Sequence, residues 1–100
     1  MYTLNAKKAT PCYYDSMDAM PFLNDAFRQI LRAYRENAGL TQKELAEKID
    51  ASLAAIKKLE HGDRVPSLRT VLALCRGLGV KPHDFITDIV RKLAFLEGQD

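Results

Sequence analysis

The stretch TQKELAEKIDASLAAIKKLEHG, residues 41–62, constrains the fold more than any other part of the chain. Thr41 and Glu44 form a capping-box pattern that predicts the start of one helix. Ser52 offers a second helix start, and only a tight turn around Asp50 separates the two predicted helices. Because both helices are short and closely joined, they must cross and pack on each other.

Two residues in this stretch meet the demands of such a crossing. Ala46 is small enough to let the two helices approach closely. Asp50 tolerates the left-handed backbone that the turn requires, although less easily than glycine would. Short helices joined in this way are typical of the helix-turn-helix motif, whose second helix enters the major groove of DNA.

The rest of the chain predicts three more helices and no core strand. Apolar residues recur at spacings of three and four from Pro21 until Gly39 ends that helix. Ser67 caps a fourth helix that Gly79 ends, and Pro82 fits the first turn of a fifth. We therefore predict an all-α domain of five helices over residues 21–97. The helix-turn-helix proper occupies about 41–61, and residues 1–20 form an irregular N-terminal arm, either disordered or a short strand.

Composition and cysteine usage narrow the class of protein. The 100 residues suffice for one small domain, and no apolar run is long enough to cross a membrane. Cys12 and Cys75 are isolated and the N-terminus lacks a secretory signal, which predicts a reducing cytoplasm. His61 and His83 have no partners at metal-ligand or catalytic spacing. We therefore expect no enzyme activity, no metal and no cofactor.

The net charge of +2 conceals an uneven distribution. Between residues 26 and 81 there are eleven Lys or Arg and six Asp or Glu, whereas both ends of the chain are slightly acidic. A basic centre is compatible with a polyanionic partner such as DNA. A lysine-rich face that only meets solvent would give the same pattern, so charge alone leaves both interpretations open.

The predicted third helix has two distinct sides. At about 100° per residue, Ile56 and Leu59 point inward, while Lys57, Lys58 and His61 point outward. An outward side of this kind can approach phosphates and base edges. On its own it would equally describe a solvated helix, and the preceding helix favours the interpretation as a groove-facing helix.

The chain resembles the Cro/lambda-repressor type of helix-turn-helix regulator, also called the xenobiotic-response-element family. The resemblance covers about residues 31–86 and rests on the segments GLTQKELA, LEHG, VPSLRTVLALC and LGV in this order and spacing. It implies that Arg35 and Glu60 form a structural pair that ties the first helix to the end of the third.

The resemblance also implies a set of DNA contacts. The candidates for contact with base edges are Ser52, Leu53, Ala54, Lys57 and Lys58. The candidates for contact with phosphates are Gln42, Lys43, His61, Arg64, Ser67 and Arg69. This chain departs from the family pattern at Leu53 and Ala54, where relatives often carry polar side chains. Neither can form bidentate bonds to purines, although both can touch thymine methyl groups.

These features together predict a sequence-specific transcriptional regulator, a repressor that binds double-stranded DNA as a homodimer. The apolar positions of the fifth helix, which continue through Leu93, Phe95 and Leu96, suit a dimer interface or packing within one subunit. The alternative is a protein-interaction module, such as an antitoxin or co-regulator whose main ligand is a partner protein.

Overall fold

The computed structural model describes residues 20–63 and 65–98. This part of the chain contains five helices and no strand, which confirms the predicted all-α fold. The helices are α1 (Leu23–Asn37), α2 (Gln42–Lys48), α3 (Leu53–His61), α4 (Leu68–Leu78) and α5 (Pro82–Leu96). The predicted N-terminal arm, apart from Met20, and Arg64 lie outside the described residues.

One apolar core holds the five helices together. Helix α1 packs on α5 and α3, α2 packs on α3 and α4, and α4 packs on α5. The largest fully buried side chains come from all five helices: Phe27, Leu31, Leu45, Ile56, Leu74, Cys75 and Phe85. Burial of this kind contributes about 25 cal/mol per Å² of apolar surface, so the core dominates the stability of the domain. Cys75 lies in the core as its position on the fourth helix predicts, and burial raises the pKa of its thiol.

Aromatic contacts join α1 to α5. The ring of Phe85 meets Phe27 edge to face with centroids 6.2 Å apart, and it meets Tyr34 in the same way at 5.3 Å. The Tyr34 hydroxyl donates a hydrogen bond to the Asp88 carboxylate. Tyr34 therefore joins the first helix to the last in two ways: its ring packs on Phe85, and its hydroxyl bonds Asp88.

The helix starts follow the capping signals in the sequence. Thr41 and Glu44 form both hydrogen bonds of the capping box at the start of α2. Ser52 accepts the backbone N–H of Ala55, and Ser67 caps α4 in the same way. These hydroxyls satisfy amide groups that would otherwise lack partners.

The turn between α2 and α3 has the backbone that the sequence predicts. Asp50 has a φ of 57°, in the left-handed region, and Ala51 donates its N–H to the Ala46 carbonyl at 2.8 Å. Ala46 itself is only 2% exposed. A small side chain at this position and a left-handed residue in the turn therefore set the crossing of α2 and α3.

A second close approach locates α4 against the end of α2. A Cβ atom added to Gly77 would lie 2.5 Å from Ile49 Cγ2, which is closer than real side chains come. Glycine at this position allows α4 to press against α2, and it costs helix propensity of about 1 kcal/mol relative to alanine.

Some residues of the apolar pattern do not enter the core. Leu68 and Leu72 on α4, and Ile86, Val90 and Phe95 on α5, remain between 43% and 69% exposed. Leu93 and Leu96, in contrast, pack against the core within the subunit. Of the three apolar residues at the end of α5, Leu93 and Leu96 therefore pack within the subunit, whereas Phe95 stays exposed.

Candidate nucleic-acid interface

Helix α3 shows the two sides that its sequence predicts. Ile56 is fully buried and Leu59 is half-buried against the core. Lys57, Lys58 and His61 are exposed. The helix is therefore anchored by its apolar side and presents a cationic side to solvent.

A polar cluster, which we call the brace, fixes α3 from behind. Arg35 of α1 donates two hydrogen bonds to the Glu60 carboxylate, at 2.5 and 3.0 Å, and a third to the Leu40 carbonyl at 2.8 Å. Gln42 of α2 donates from Nε2 to Glu60 at 3.1 Å. The brace of Arg35, Gln42 and Glu60 thus connects α1, α2 and α3 through one carboxylate.

Burial makes the brace a strong constraint on geometry. The side chains of Arg35 and Glu60 are only 10% and 5% exposed. Hydrogen bonding to Glu60 raises the pKa of Arg35 above its ordinary value, so the guanidinium stays charged. Because Arg35 neutralises Glu60, this carboxylate does not repel a polyanion from the nearby surface.

A basic recess opens in front of the brace, with a volume of about 580 Å³. Its walls come from three helices: Arg32 of α1, Thr41 and Gln42 at the start of α2, and Lys57 and His61 of α3. Three cationic or titratable side chains and a helix start converge here, an arrangement that suits a phosphate.

Sequence reasoning missed Arg32 as a member of this recess. Its side chain is 65% exposed and its Nε donates to Glu36 at 3.0 Å, which leaves other guanidinium N–H groups free. The signal was present in the spacing, because Arg32 and Arg35 stand three residues apart and share one side of α1.

A second depression, which we call the apolar cleft, lies on the other side of α3. It has a volume of about 450 Å³ between α3 and the segment that leads into α4. Carbon atoms of Ala54, Ala55, Val65 and Pro66 supply much of its wall, and Lys58 lies at its edge. Ala54 and Ala55 in the first turn of α3 are therefore part of a larger apolar surface.

The remaining predicted site residues fall into three groups. Lys43 and Arg69 are exposed in the first turns of α2 and α4. Ser52 and Ser67 use their hydroxyl oxygens as helix caps and line the apolar cleft. Arg64 lies outside the described residues. Among the residues that the structure describes, no group of three metal-ligating side chains comes together.

A family match over more than half of the chain identifies the family. Residues 31–85 match the helix-turn-helix family HTH_3. The chain belongs to this family. The match runs from α1 into α5 and includes the brace and all the described residues that line the basic recess and the apolar cleft.

Two curated proteins are similar to this helix-turn-helix chain. An uncharacterised HTH-type transcriptional regulator of Methanothermobacter thermautotrophicus is 40% identical over 62 residues, which cover 62% of this chain and 86% of that protein. The vegetative-specific protein H7 of Dictyostelium discoideum is 36% identical over 63 residues. These cover 63% of this chain and 61% of that protein, so the chain spans about three fifths of its length.

Solved structures share the fold. The clp gene regulator ClgR of Corynebacterium glutamicum matches with a TM-score of 0.72 and 29% identity, covering 80% of this chain and 85% of that one. A mutant of the restriction-modification controller protein C.Esp1396I matches with a TM-score of 0.68, covering 72% of this chain and 96% of that one. At 24% identity, the second likeness shows the fold alone.

The family, the relatives and the fold agree on one class of protein. The chain is a DNA-binding transcriptional regulator of the helix-turn-helix type. Domains of this family are typically non-enzymatic. In the described residues, every helix is too short or too polar to cross a membrane.

Proposed function

We propose that this protein is a sequence-specific repressor that docks α3 in the major groove of DNA. The observation that carries the proposal is the orientation of α3, whose cationic side faces outward while the buried brace holds its inner side. A helix that the brace holds from both α1 and α2 keeps its exposed side chains in place for base edges without a further ordering cost.

Phosphate contacts would lie on both sides of α3. In the basic recess, Arg32, Lys57 and His61 surround Gln42, whose second amide N–H is free of the bond to Glu60. Lys43 and Arg69 extend this cationic surface to the starts of α2 and α4. Contacts of this kind supply affinity and salt dependence and position the helix for reading.

Repression is the simpler of the two regulatory outcomes. A repressor needs only to occupy its site and exclude other proteins, whereas an activator also needs a surface that contacts the transcription machinery.

We propose further that the protein binds DNA as a two-fold dimer through α5. Ile86 and Val90 lie one helical turn apart, so they form one exposed apolar stripe, 43% and 56% exposed. Such a stripe gains stability when a second copy covers it. A dimer would present two α3 helices to one side of the duplex, about one helical turn apart.

The runner-up function is binding to a partner protein, as in an antitoxin or co-regulator. The exposed pair Leu68 and Leu72 on α4, at 69% and 43% exposure, favours this possibility because it offers a separate apolar surface. A partner seated there would cover the start of α4 beside the apolar cleft.

One selection experiment tests the leading proposal. The purified protein is mixed with a random double-stranded DNA pool, and bound DNA is recovered at two salt concentrations. We expect enriched sites with dyad symmetry, and affinity that falls steeply as salt rises. Recovery of no preferred sequence, with binding that is insensitive to salt, would contradict it and favour the partner-protein function.

Two point variants separate positioning from reading. Lys58→Ala should narrow the gap between affinity for the selected site and for random DNA, because Lys58 projects from the middle of α3. Arg69→Ala should weaken binding to both DNAs by a similar factor and flatten the salt dependence. Equal loss of selectivity in both variants would contradict this division of roles.

The N-terminal arm and the cytoplasmic location stay predictions from the sequence.

A further inference from the structure

A carboxylate lies beside the basic recess, at a place where it does not favour its own helix. Glu36 is the second-last residue of α1, and its side chain is 56% exposed. The carbonyl groups at the C-terminus of a helix carry partial negative charge, so an acidic side chain in the last turn is unfavourable. Arg32 precedes Glu36 by four residues, which is also the weaker order for an ion pair along a helix. The stability of α1 therefore does not explain an acid at this position.

The contacts of Glu36 are with two arginines. Its Oε2 accepts the Nε–H of Arg32 at 3.0 Å and lies 3.9 Å from an Nη atom of Arg35. Arg35 is already neutralised by Glu60 through two hydrogen bonds, so Glu36 acts mainly on Arg32. Arg32 lines the basic recess, and its side chain is 65% exposed. Glu36 therefore partly cancels the charge of a cation that faces the recess.

Glu36 has two effects on a phosphate in the recess, and they have opposite signs. Its hydrogen bond to Nε orients the guanidinium of Arg32, which favours binding. Its negative charge competes with the phosphate for the same cation, which opposes binding. Because both side chains are largely exposed, the pair holds little orientation. Repulsion between two anions close to one guanidinium is the larger effect.

We propose, on the basis of the docking described above, that Glu36 competes with a DNA phosphate for Arg32 and so limits the affinity of this regulator for DNA of any sequence. When α3 docks, a phosphate that enters the recess takes the place of the Glu36 carboxylate on Arg32. Phosphate contacts carry no sequence information, so the competition lowers affinity for selected and random DNA by the same factor. Changes of this kind appear mostly in the dissociation rate, so Glu36 lets the regulator leave non-cognate DNA sooner.

Glu36→Gln tests the proposal with little change of shape. The amide oxygen of glutamine can still accept the Nε–H of Arg32, so only the charge is lost. At low salt we expect the variant to bind both the selected site and random DNA more tightly, by about two- to fivefold per subunit, the range for an exposed ion pair. The gain should shrink as salt rises, because salt screens exposed charges.

A double-variant cycle assigns the gain to Arg32. In the Arg32→Ala background, Glu36→Gln should change affinity by less than about 1.5-fold, because the contested cation is absent. Asp84→Asn is the matched control for net charge. It removes one exposed carboxylate from α5 near Tyr34, which projects from α1 about 200° away from Glu36. It should also change affinity by less than about 1.5-fold. Thermal melting shows that each variant folds.

The outcomes separate the competition from the docking on which it rests. Equal or weaker binding by Glu36→Gln would overturn the competition and leave DNA binding intact. A gain that survives in the Arg32→Ala background would overturn the assignment to this cation, and a gain confined to the selected site would contradict a phosphate contact. If neither the wild type nor Glu36→Gln shows salt-dependent binding to any DNA, the proposed docking is wrong as well.

Discussion

The Glu60 carboxylate shows how one side chain can set the geometry of a binding surface. It is almost completely buried, and it accepts hydrogen bonds from α1 through Arg35 and from α2 through Gln42. Burial of a carboxylate is costly unless it is both paired and hydrogen-bonded, and here it is both. The brace therefore holds α3 against both α1 and α2.

Removal of one member of the brace should destabilise the domain strongly. We expect Arg35→Ala to lower the free energy of unfolding by about 3–5 kcal/mol, because it leaves Glu60 buried without a cation. Chemical denaturation followed by circular dichroism measures the change. Arg32→Ala is the control: its exposed pair with Glu36 should contribute less than about 1 kcal/mol. An unchanged melting temperature in Arg35→Ala would contradict the structural role of the pair.

The Tyr34 hydroxyl should lose its proton at a higher pH than an ordinary tyrosine does, because its pKa is raised. Its hydrogen bond to Asp88, together with burial and nearby acidic groups, raises its pKa to about 12. The folded state favours the neutral phenol, so this contribution to stability is complete below the ordinary tyrosine pKa of about 10 and is lost as pH rises through about 12. Tyrosine absorbance against pH, compared between the wild type and Tyr34→Phe, should give a difference curve centred near 12. A difference curve centred near 10 would show that the bond to Asp88 is absent in solution.

At the scale of elements, the helix-turn-helix depends on a local backbone requirement. The chain changes direction sharply between α2 and α3 because Asp50 adopts a φ of 57°. The hydrogen bond from Ala51 to Ala46 then closes the turn over the buried crossing point. Neither feature depends on the side chain of Asp50 making a contact, so backbone preference at this position controls the unit.

Substitutions at Asp50 should follow backbone preference and ignore side-chain size. Asp50→Val should destabilise the domain by about 1–3 kcal/mol, because a β-branched residue is strained at this φ. Asp50→Gly should leave stability within about 0.5 kcal/mol of the wild type, since glycine reaches this conformation freely. Asp50 is exposed, so a change in side-chain burial does not contribute to the difference in stability between the two variants. Equal stability of the two variants in urea denaturation would refute the argument.

For the whole molecule, the proposed dimer requires an apolar surface that a second copy can cover. The apolar stripe of Ile86 and Val90 and the exposed Phe95 lie on different sides of α5, because Phe95 follows Val90 by five residues, or about 140°. Lys92 lies over the Phe95 ring at 5.6 Å and partly covers it from within the subunit. Among residues 20–63 and 65–98, no such cation lies over the stripe, which makes it the better candidate for an interface.

A charge placed in the stripe should separate the copies. We expect sedimentation to show a dimer for the wild type and a monomer for Val90→Lys, because an interface would have to bury the new ammonium group without a partner. Phe95→Lys is the matched control on the other side of α5 and should remain dimeric. Both residues are more than half exposed, so each subunit should keep its melting temperature within a few degrees. A wild type that stays monomeric at high concentration would sink the proposed dimer.

The helices could be predicted from the sequence alone, as could their caps, the turn at Asp50, the family and the outward side of α3. All of these depend on interactions within a few residues, or on a pattern that relatives share, so they can be read along the chain. The pairing of Arg35 with Glu60 was predictable from the pattern that relatives share. The structure shows the contact at distances that a sequence cannot specify.

Contacts between residues that are distant along the chain depend on how the helices pack. Arg32 joins Lys57 and His61 in one recess because α1 packs against α3. Val65 and Pro66 complete an apolar surface with Ala54 because the segment before α4 folds back along α3. Interhelical angles result from the packing of the whole core, and periodicity along one helix carries no information about them. For the same reason, the periodicity that places Ile86 and Val90 on the apolar side of α5 could not show that the core stops short of them.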